Sequence, residues 1–326
     1  EEGCDVWFTS PAARFLGADY NEADYIQVKD IADVWFDSGS THAFVLETRE
    51  DLQSPADLYL EGSDQHRGWF HSSLLESCGT RGQAPYKGVL THGFVLDEQG
   101  RKMSKSLGNV VAPQKIIQQN GADILRLWVV SSDYYDDLRI GPEIIKRQTD
   151  HYRRIRNTLR YLLGAVNGFD RFTEAVQPAE MPELERWVLH RLAELDQQIR
   201  ENTRAYDFHG IFTLIHDFCN SDLSAFYFDI RKDCLYCDEQ NSLDRRACRT
   251  VMDYALQCLI SWVAPILCFT SDEAWLAYTG DETDSIHLHT YFDVPEIWHD
   301  QAVANRWEQI RSLRSEVMIA LEAARN

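Results

Sequence analysis

The sequence predicts an α/β fold followed by an all-α region, and three observations support this assignment. Residues 57–96 pass from a strand pattern to a helix pattern and back to a strand pattern, which is typical of a β-α-β unit with parallel strands. Beyond residue 141, long segments repeat apolar residues at helical spacing. A stretch with two prolines at 177–182 separates two of these helical regions and is the best candidate for a linker.

Length, composition and charge restrict the class of protein. The 326 residues suggest two or three domains, and the hydrophobic content of 44% can form sizeable cores. No apolar run approaches the ~18 residues that cross a membrane, and the acidic start does not resemble a signal peptide. The start also lacks an initiator Met, so we expect a section of a longer protein. The net charge of −20 excludes a surface that is basic throughout, but it is compatible with a local basic track.

The cysteines indicate a reducing compartment. Eight of them are scattered along a chain that is long enough to fold without disulfides. Cys234 and Cys237 form a C-x-x-C pair in a helix-like stretch, but no second pair has the spacing of a zinc site. We therefore expect buried free thiols at this pair, with a zinc site as the less favoured alternative. We also expect no metal site in this chain and a cytoplasmic location.

The α/β region is predicted from apolar runs and turn residues. Residues 1–30 show no clear period and are expected to be irregular or to hold short strands. After them we predict a short apolar run at 33–40, a strand at 57–60, a helix at 69–78, a loop at 79–85 and a strand at 86–96. Ligands bind at the carboxyl ends of parallel strands. The polar residues at 61–65, just after the first strand, and His92, inside the second, therefore lie where a functional site is expected.

The remaining segments are predicted to be helical. Pro113 lies near the start of one helix, which Asn120 and Gly121 interrupt before residues 122–131 continue it. Pro142 opens a long helix that ends at about residue 168. Further helices are predicted at 183–203, 208–234, 243–266, 270–279 and 305–325, with a loop or short extended segment at 284–295. This half is expected to form an antiparallel bundle.

The most informative stretch is the run RKMSKSLGN at 101–109. It follows an apolar segment and a turn, which is the setting that a phosphate-binding loop needs. Lysine ammoniums are mobile point charges that suit phosphates, and short side chains near Gly108 let the backbone approach a ligand. Lys102 and Lys105 are therefore candidates for phosphate binding. The alternative is a solvated basic loop, because short motifs also arise by chance.

A second group of polar residues lies at 61–66. Glu61 is only an acceptor when ionised, so it suits an ammonium group or ribose hydroxyls. Gly62 lets backbone amides face a ligand, and Asp64 and Gln65 could hold ribose hydroxyls or an amine. The alternative is an ordinary strand-to-helix turn that Ser63 or Asp64 caps.

Two tryptophans and two histidines accompany these turns. Trp35 and Trp69 each lie beside a polar turn. Core packing is the usual role of Trp, and the functional alternative is a wall of an aliphatic substrate pocket. His66 and His92 are each more typical of structural histidines than of catalytic bases.

The helix that begins at Pro142 carries a local excess of positive charge in an acidic chain. Arg153, Arg156 and Arg160 follow i, i+3, i+7 spacing and can share one face, whereas Arg154 points elsewhere. These arginines predict a track for RNA phosphates. The alternative is a solvated face with extended side chains.

Four blocks occur in a characteristic order: DVWFDSG at 33–39, EGSDQHRGWF at 61–70, THGF at 91–94 and KMSKS at 102–106. In wording and order they resemble the isoleucyl-tRNA synthetase family, of bacterial or organellar type, within the class I aminoacyl-tRNA synthetases. The resemblance extends over essentially the full chain. Valyl and leucyl enzymes share the lysine loop, but the residue sequences of the first two blocks look like those of the isoleucyl enzymes.

The resemblance implies a role for each matching residue. Glu61, Gly62, Asp64 and Gln65 would bind the aminoacyl-adenylate, and His92 would approach the adenine. Trp35 and Trp69 would shape the isoleucine pocket. The lysine loop would bind ATP through Lys102, Ser104, Lys105 and Ser106, with Lys105 contacting the nucleotide and Lys102 steering the triphosphate. Isoleucine, ATP with Mg²⁺ and tRNA(Ile) would be the substrates, and the protein would act as a monomer.

The resemblance also implies a division into regions. Residues 1–32 would return from an editing insertion, and 33–111 would form the second half of a Rossmann catalytic domain. Residues 112–180 would form a helical region that contacts the tRNA stem, and 181–326 a helical anticodon-binding domain. A HIGH motif, a full editing domain and the Cys-rich zinc element that ends many bacterial members are not found in this sequence, so zinc is expected only outside this chain.

Three functions remain open from the sequence. The first is a section of an RNA ligase that carries half of an active site, isoleucyl or, as a variant, valyl or leucyl. The second is a non-catalytic tRNA-binding module. The third is a different nucleotidyl-transferring enzyme with an accidental lysine loop.

Overall fold

The computed structural model describes residues 3–325. The chain divides into two compact units, Glu1–Gly93 and Phe94–Asn326. Each unit has its own strands and helices, and the boundary between them falls inside the segment that the sequence predicts as one strand at 86–96.

The first unit contains the predicted β-α-β arrangement. Its elements are α1 Val6–Thr9, α2 Ala13–Leu16, α3 Val34–Gly39, β1 Ala56–Gly62, α4 Trp69–Arg81 and β2 Tyr86–His92. Strands β1 and β2 are parallel, with Gly62 opposite His92 at their carboxyl ends. Tyr59 of β1 and Phe70 of α4 are both only 3% exposed, so the helix covers the sheet through these two rings.

Several boundaries in this unit differ from the sequence predictions. Glu61 and Gly62 are the last residues of β1 and do not follow it. Residues 79–81 are helical, not part of a loop, because Arg81 pairs with Glu47 at 2.8 Å and the left-handed Gly82 ends the helix one residue later. Among residues 3–32 the structure has short helices and no strand, so the short-strand alternative is wrong.

The segment 86–96, predicted as one strand, forms two separate strands in the structure. The first, β2, ends at His92, and β3, Val95–Leu96, pairs in parallel with β4, Leu138–Arg139, in the second unit. Gly93 lies between them, and the Phe94 amide donates to the Asp137 carboxylate at 2.8 Å. A continuous apolar pattern therefore conceals a change of sheet.

The second unit is mostly helical, as the sequence predicts. Its helices are α5 Pro113–Asn120, α6 Ala122–Val130, α7 Pro142–Val166, α8 Glu183–Arg204, α9 Phe208–Asp217, α10 Phe228–Cys237, α11 Leu243–Val263, α12 Cys268–Thr279 and α13 Gln301–Arg325. A wider helical stretch, Phe218–Tyr227, joins α9 to α10, so the chain is helical throughout the predicted 208–234 segment.

One apolar core extends through this unit from α6 to α13. Helix α11 lies at its centre, with most of its residues buried, and packs against α7, α8, α10 and α12. The predicted linker at 177–182 is not a free connection, because Val176 and Met181 on either side of a short turn are both buried in this core. Burial of each such side chain contributes roughly 1.5–3 kcal/mol, which anchors the turn.

A buried ion pair also ties two of these helices together. Glu185 of α8 is fully buried and accepts hydrogen bonds from Arg231 and from the Tyr227 hydroxyl, the latter at 3.0 Å. Burial raises the pKa of Glu185, and the Arg231 guanidinium opposes that shift. In the part of the chain that the structure describes, no helix is long and apolar enough to span a membrane.

Candidate functional site

The carboxyl ends of β1 and β2 bring three predicted site residues together. A Cβ atom on Gly62 would lie 2.6 Å from Asp64 Oδ1 and 3.6 Å from His92 Cε1, so only glycine fits here without movement of a neighbour. His92 Nδ1 lies 2.8 Å from the Gly93 carbonyl oxygen. Because that oxygen only accepts, Nδ1 carries the proton in a neutral ring and Nε2 is left as an acceptor.

Glu61, Gln65 and Trp69 line one open cavity of about 560 Å³ in the first unit. The other lining residues come from α3 and from the wider helical segment that follows it, His42–Leu46 with its preceding Thr41, and they are Asp37, Ser38, Thr41 and Phe44. The Glu61 carboxylate is exposed. It accepts a hydrogen bond from the neighbouring Gly62 amide at 3.2 Å. The cavity therefore offers an available carboxylate beside apolar and aromatic walls, which suits an amino-acid ligand.

Gln65 has a structural task as well as a place in this cavity. Its Oε1 accepts from the Trp69 amide at 2.9 Å, and its Nε2 donates to Asp64 Oδ2 at 3.1 Å. Helix α4 is therefore capped by Gln65, and the alternative caps considered from the sequence, Ser63 and Asp64, do not act. The amide that faces the cavity is fixed in orientation by these two bonds.

The two tryptophans have different surroundings. Trp69 stacks on Tyr59 with ring centroids 4.2 Å apart, and its Nε1 donates to the Ser38 carbonyl at 3.0 Å, so it joins the sheet to α3 while one face lines the cavity. Trp35 is 47% exposed and lies over Gly68, where a Cβ would be 2.8 Å from the indole. Trp35 is not among the residues that line this cavity.

The lysine loop, residues 101–109, lies in the second unit and is organised by one buried carboxylate. Asp97 is 4% exposed and accepts hydrogen bonds from the Gln99 amide at 3.1 Å and the Arg101 amide at 2.8 Å. Its other oxygen accepts from Arg101 Nε at 2.8 Å and from Asn109 Nδ2 at 2.9 Å. These bonds, the one from Asn109 foremost, lower the pKa of Asp97 to about 2.

Asn109 connects this carboxylate to the loop backbone. Its Nδ2 donates to the Lys102 carbonyl at 3.2 Å, and its Oδ1 accepts from the Ser104 amide at 2.9 Å. Sequence inspection missed Asp97 and Asn109 as site residues. They are twelve positions apart, and only the closed loop reveals that they meet.

The lysines and the serines of the lysine loop differ in whether their functional groups are engaged. Lys102 and Lys105 are exposed, and within residues 3–325 neither forms an ion pair. Ser104 Oγ lies 3.1 Å from Ser106 Oγ and accepts from the Leu107 amide at 3.2 Å. The ammonium groups are therefore available to an anionic ligand, while the Ser104 hydroxyl also takes part in the loop's own hydrogen bonds.

The arginines of the predicted track on α7 differ in whether they already pair with an acidic side chain. Arg153, Arg156 and Arg160 are all exposed. Arg153 pairs with Asp150 at 3.2 Å, and Arg156 makes a two-pronged contact with Glu273 of α12 at 3.0 and 3.3 Å. Arg160 has no acidic partner in the described part of the chain. Arg154 instead donates to Asn220 Oδ1 at 2.6 Å.

Arg153 also lines a groove of about 600 Å³ between α5, α7 and residues 110–112. Lys115 and Lys146 line the same groove, and Asp150 is its acidic residue. Lys115 was not predicted as a site residue, because it belongs to a different helix from the arginines. Positive charges from two helices therefore meet at one concave surface, which suits a polyanion.

Cys234 and Cys237 lie on α10, and the eight cysteines are free thiols. Cys234 is half-buried and Cys237, the last residue of the helix, is exposed, so the expectation of a buried thiol is wrong for Cys237. In residues 3–325, no three His, Cys, Asp or Glu side chains are grouped so that they could hold a metal ion.

Comparisons with known proteins point to one family. Residues 1–141 match the family described as tRNA synthetases class I (I, L, M and V), and residues 185–326 match the anticodon-binding domain of tRNA ligase. The isoleucine–tRNA ligase of Gluconobacter oxydans is 56% identical over the whole chain, and those of Mesorhizobium japonicum and Pelagibacter ubique are 55% and 52% identical. The chain spans about a third of their length, 34%, 32% and 36% respectively.

Two solved structures share the fold. The LeuRS of Agrobacterium radiobacter K84, in a ternary complex with tRNA and LeuAMS, covers 76% of this chain with a TM-score of 0.62 and 18% identity, and the chain covers 29% of it. The methionyl-tRNA synthetase of Mycobacterium tuberculosis, in complex with methionyl-adenylate, covers 68% with a TM-score of 0.54 and 20% identity, and the chain covers 44% of it.

The matches to these two curated relatives cover the whole chain, including the segments that hold the cavity residues and the lysine loop. The third hypothesis from the sequence, a different nucleotidyl-transferring enzyme with an accidental lysine loop, is therefore wrong. The isoleucyl relatives also favour the isoleucyl assignment over the valyl and leucyl variants. The chain belongs to the class I tRNA synthetases and, within them, to the isoleucine–tRNA ligase group.

Proposed function

We propose that this chain supplies the lysine-loop half of the active site, and the tRNA-binding region, of an enzyme that attaches isoleucine to tRNA(Ile). Isoleucine and ATP, with Mg²⁺, would give isoleucyl-adenylate and pyrophosphate, and the acyl group would then pass to the tRNA. Because the curated relatives are about three times as long, we propose that the complete reaction needs the longer protein.

The observation that carries this proposal is the state of the two loop lysines. When the isoleucine carboxylate attacks the α-phosphorus, negative charge grows on the departing pyrophosphate. Lys102 and Lys105 are exposed cations that have no acidic partner among residues 3–325. The buried carboxylate beside them, Asp97, is already fully hydrogen-bonded. Such charges stabilise the transition state without a covalent nucleophile, since positioning and electrostatics supply most of the catalysis.

The cavity of the first unit supports the amino-acid and adenylate side of the proposal. Glu61 is available for the ammonium group or ribose hydroxyls, and the fixed Gln65 amide and the Trp69 ring lie beside it. We propose Gly62, Asp64 and His92 as neighbouring adenylate contacts and Trp35 as a further wall of the isoleucine pocket. We also propose that Ser104 and Ser106 bind ATP when the loop engages it.

The basic surface of α7 supports the tRNA side. We propose that Arg153 and Arg160 contact tRNA phosphates, with a smaller contribution from Arg156 because Glu273 already pairs with it. The groove lined by Lys115 and Lys146 extends the same surface.

The division into regions stays a proposal. It assigns 1–32 to the return from an editing insertion, 33–111 to the second half of a Rossmann catalytic domain, 112–180 to stem contact and 181–326 to an antiparallel anticodon-binding bundle. The monomeric state and the cytoplasmic location also stay predictions.

One experiment separates this function from that of a non-catalytic tRNA-binding module. We expect the isolated chain to bind tRNA(Ile) but to show no isoleucine-dependent exchange of pyrophosphate into ATP, and a complete synthetase that contains this sequence to catalyse the exchange. Exchange by the isolated chain would contradict the assignment of half an active site. A complete protein that binds tRNA(Ile) without exchange would favour the binding module.

A further inference from the structure

We propose that Asp97 and Asn109 are positioning residues for the lysine loop: together they clasp its two ends and so fix Lys102 and Lys105 for a phosphate ligand. This inference rests on the proposed function of the loop and adds a role for two side chains that need not touch the substrate. We call the contact between them the Asp97–Asn109 clasp.

The first step is the geometry of the Asn109 side chain. It donates to Asp97 Oδ2 at 2.9 Å and to the Lys102 carbonyl at 3.2 Å, and it accepts from the Ser104 amide at 2.9 Å. One amide therefore bonds to the backbone on both sides of Met103, near the start of the motif. No other common side chain offers two donors and an acceptor with this short reach.

The second step is the anchor of the clasp. Asp97 is 4% exposed and its two oxygens accept four hydrogen bonds, two from backbone amides and two from side chains. An antiparallel bridge between Leu96 and Lys102 closes the turn beside it. The neighbouring Glu98 carboxylate accepts from the Glu143 amide at the start of α7, at 3.1 Å. The anchor is therefore fixed to the scaffold, while the loop tip is exposed.

The third step is the distribution of charge. A buried carboxylate next to two lysines would attract them unless another cation neutralised it. Arg101 takes that role through a charge-assisted contact at 2.8 Å, and Asn109 fills the remaining acceptor position. The clasp therefore orders the loop backbone, and it leaves the ammonium groups of Lys102 and Lys105 without an ion-pair partner among the described residues, so that they are available to the ligand.

The clasp itself is tested on this chain by limited trypsin digestion, since trypsin cleaves after exposed lysines only when the backbone can open. We expect Asn109→Ala and Asp97→Asn each to raise the cleavage rate after Lys102 and Lys105 by at least about 10-fold, because each variant loses hydrogen bonds that close the loop. Asn305→Ala, which removes an exposed hydrogen bond on α13, is the matched control. Circular dichroism verifies that the variants are folded. Unchanged cleavage in both clasp variants would overturn the clasp.

The positioning role is tested in the complete synthetase by isoleucine-dependent pyrophosphate exchange. Asn109→Ala and Asp97→Asn should lower kcat by about 10- to 100-fold, because a small displacement of a catalytic group is that costly, while the KM for isoleucine stays unchanged. Lys105→Ala is measured in parallel. If it lowers kcat and neither clasp variant does, the positioning role is wrong. If Lys105→Ala itself has no effect, the proposed function of the loop fails, and the positioning role fails with it.

A swap of the two side chains gives a result that a general loss of stability cannot mimic. Asn109→Asp alone places two carboxylates in contact, and Asp97→Asn alone places two amides in contact. The double variant restores one amide facing one carboxylate, so we expect its kcat to exceed that of either single variant by about 3- to 10-fold. If the kcat of the double variant falls by the product of the two single-variant losses, the two side chains are not directly coupled and this part of the proposal is wrong.

Discussion

The arginine track on α7 gives a prediction whose size follows from the ion pairs of each side chain. Replacing Arg153, Arg156 and Arg160 with Ala should weaken tRNA(Ile) binding to this chain and flatten the slope of log K against log salt. Arg160 has no acidic partner in the part of the chain that the structure describes, and the exposed pair between Arg153 and Asp150 is worth only about 0–1 kcal/mol, so both arginines can reach a phosphate. Arg156 is held by Glu273 through two contacts and should contribute little.

The expected change is therefore two phosphate contacts and not three. Each lost contact reduces the slope by up to about 0.9 in the duplex limit, which gives about 1.8 for the triple variant and, at 0.1 M salt, up to about 60-fold in affinity. Single variants separate the contributions. We expect Arg160→Ala to reduce the salt slope and the tRNA affinity more than Arg156→Ala does. Arg154→Ala is the internal control, because its guanidinium is engaged with Asn220.

The assay is a binding titration of tRNA(Ile) at three salt concentrations, with circular dichroism to verify folding. A solvated face predicts equal and small effects for all four arginines. An unchanged slope in the triple variant would refute the phosphate track. A slope change in Arg156→Ala as large as that in Arg160→Ala would refute the reasoning from the Glu273 pair.

Two further predictions concern carboxylates. In the complete synthetase, Glu61→Gln should weaken binding of a non-hydrolysable isoleucyl-adenylate analogue by roughly 1.5–3 kcal/mol, the worth of a charge-assisted hydrogen bond, whereas unchanged affinity would remove Glu61 from the site. A carboxyl-carbon NMR titration of this chain should give Asp97 a pKa of about 2. Because this pKa is lowered by folding, its contribution to loop stability is present above the ordinary carboxyl pKa and is lost as the pH falls through about 2. Asn109→Ala should raise that pKa, and an unperturbed value in the unmodified chain would contradict the clasp geometry.

Much of the fold follows from local pattern. Helices α7 and α8 begin and end within a few residues of their predicted limits, since an apolar stripe at helical spacing and a proline near the start define such elements well. The predictions failed where a distant partner decides the structure. Arg81 extends α4 through Glu47, 34 residues away in sequence, and β3 leaves the first sheet to pair with residues 138–139.

For the candidate site, the sequence likewise predicted what depends on strand order but not what depends on contacts between distant residues. The rule that ligands bind at strand ends correctly brought Gly62 and His92 into one neighbourhood, because parallel strands place their carboxyl ends at the same edge. The same rule could not find the Asp97–Asn109 clasp, which depends on how a loop closes, or the groove that Lys115 shares with Arg153, which depends on how two helices pack. Contacts between elements carry no periodic signal in a single sequence.

The central claim is that the lysine loop stabilises phosphate charge during isoleucine activation, and the steady-state kinetics of Lys105→Ala in the complete synthetase test it most directly. Lys232→Ala, an exposed lysine on α10, is the matched control. We expect Lys105→Ala to lower kcat for isoleucine-dependent pyrophosphate exchange by about 10²- to 10³-fold, as loss of a transition-state charge contact does, with the KM for isoleucine unchanged. A variant that raises only the KM for isoleucine and keeps its kcat would contradict the claim.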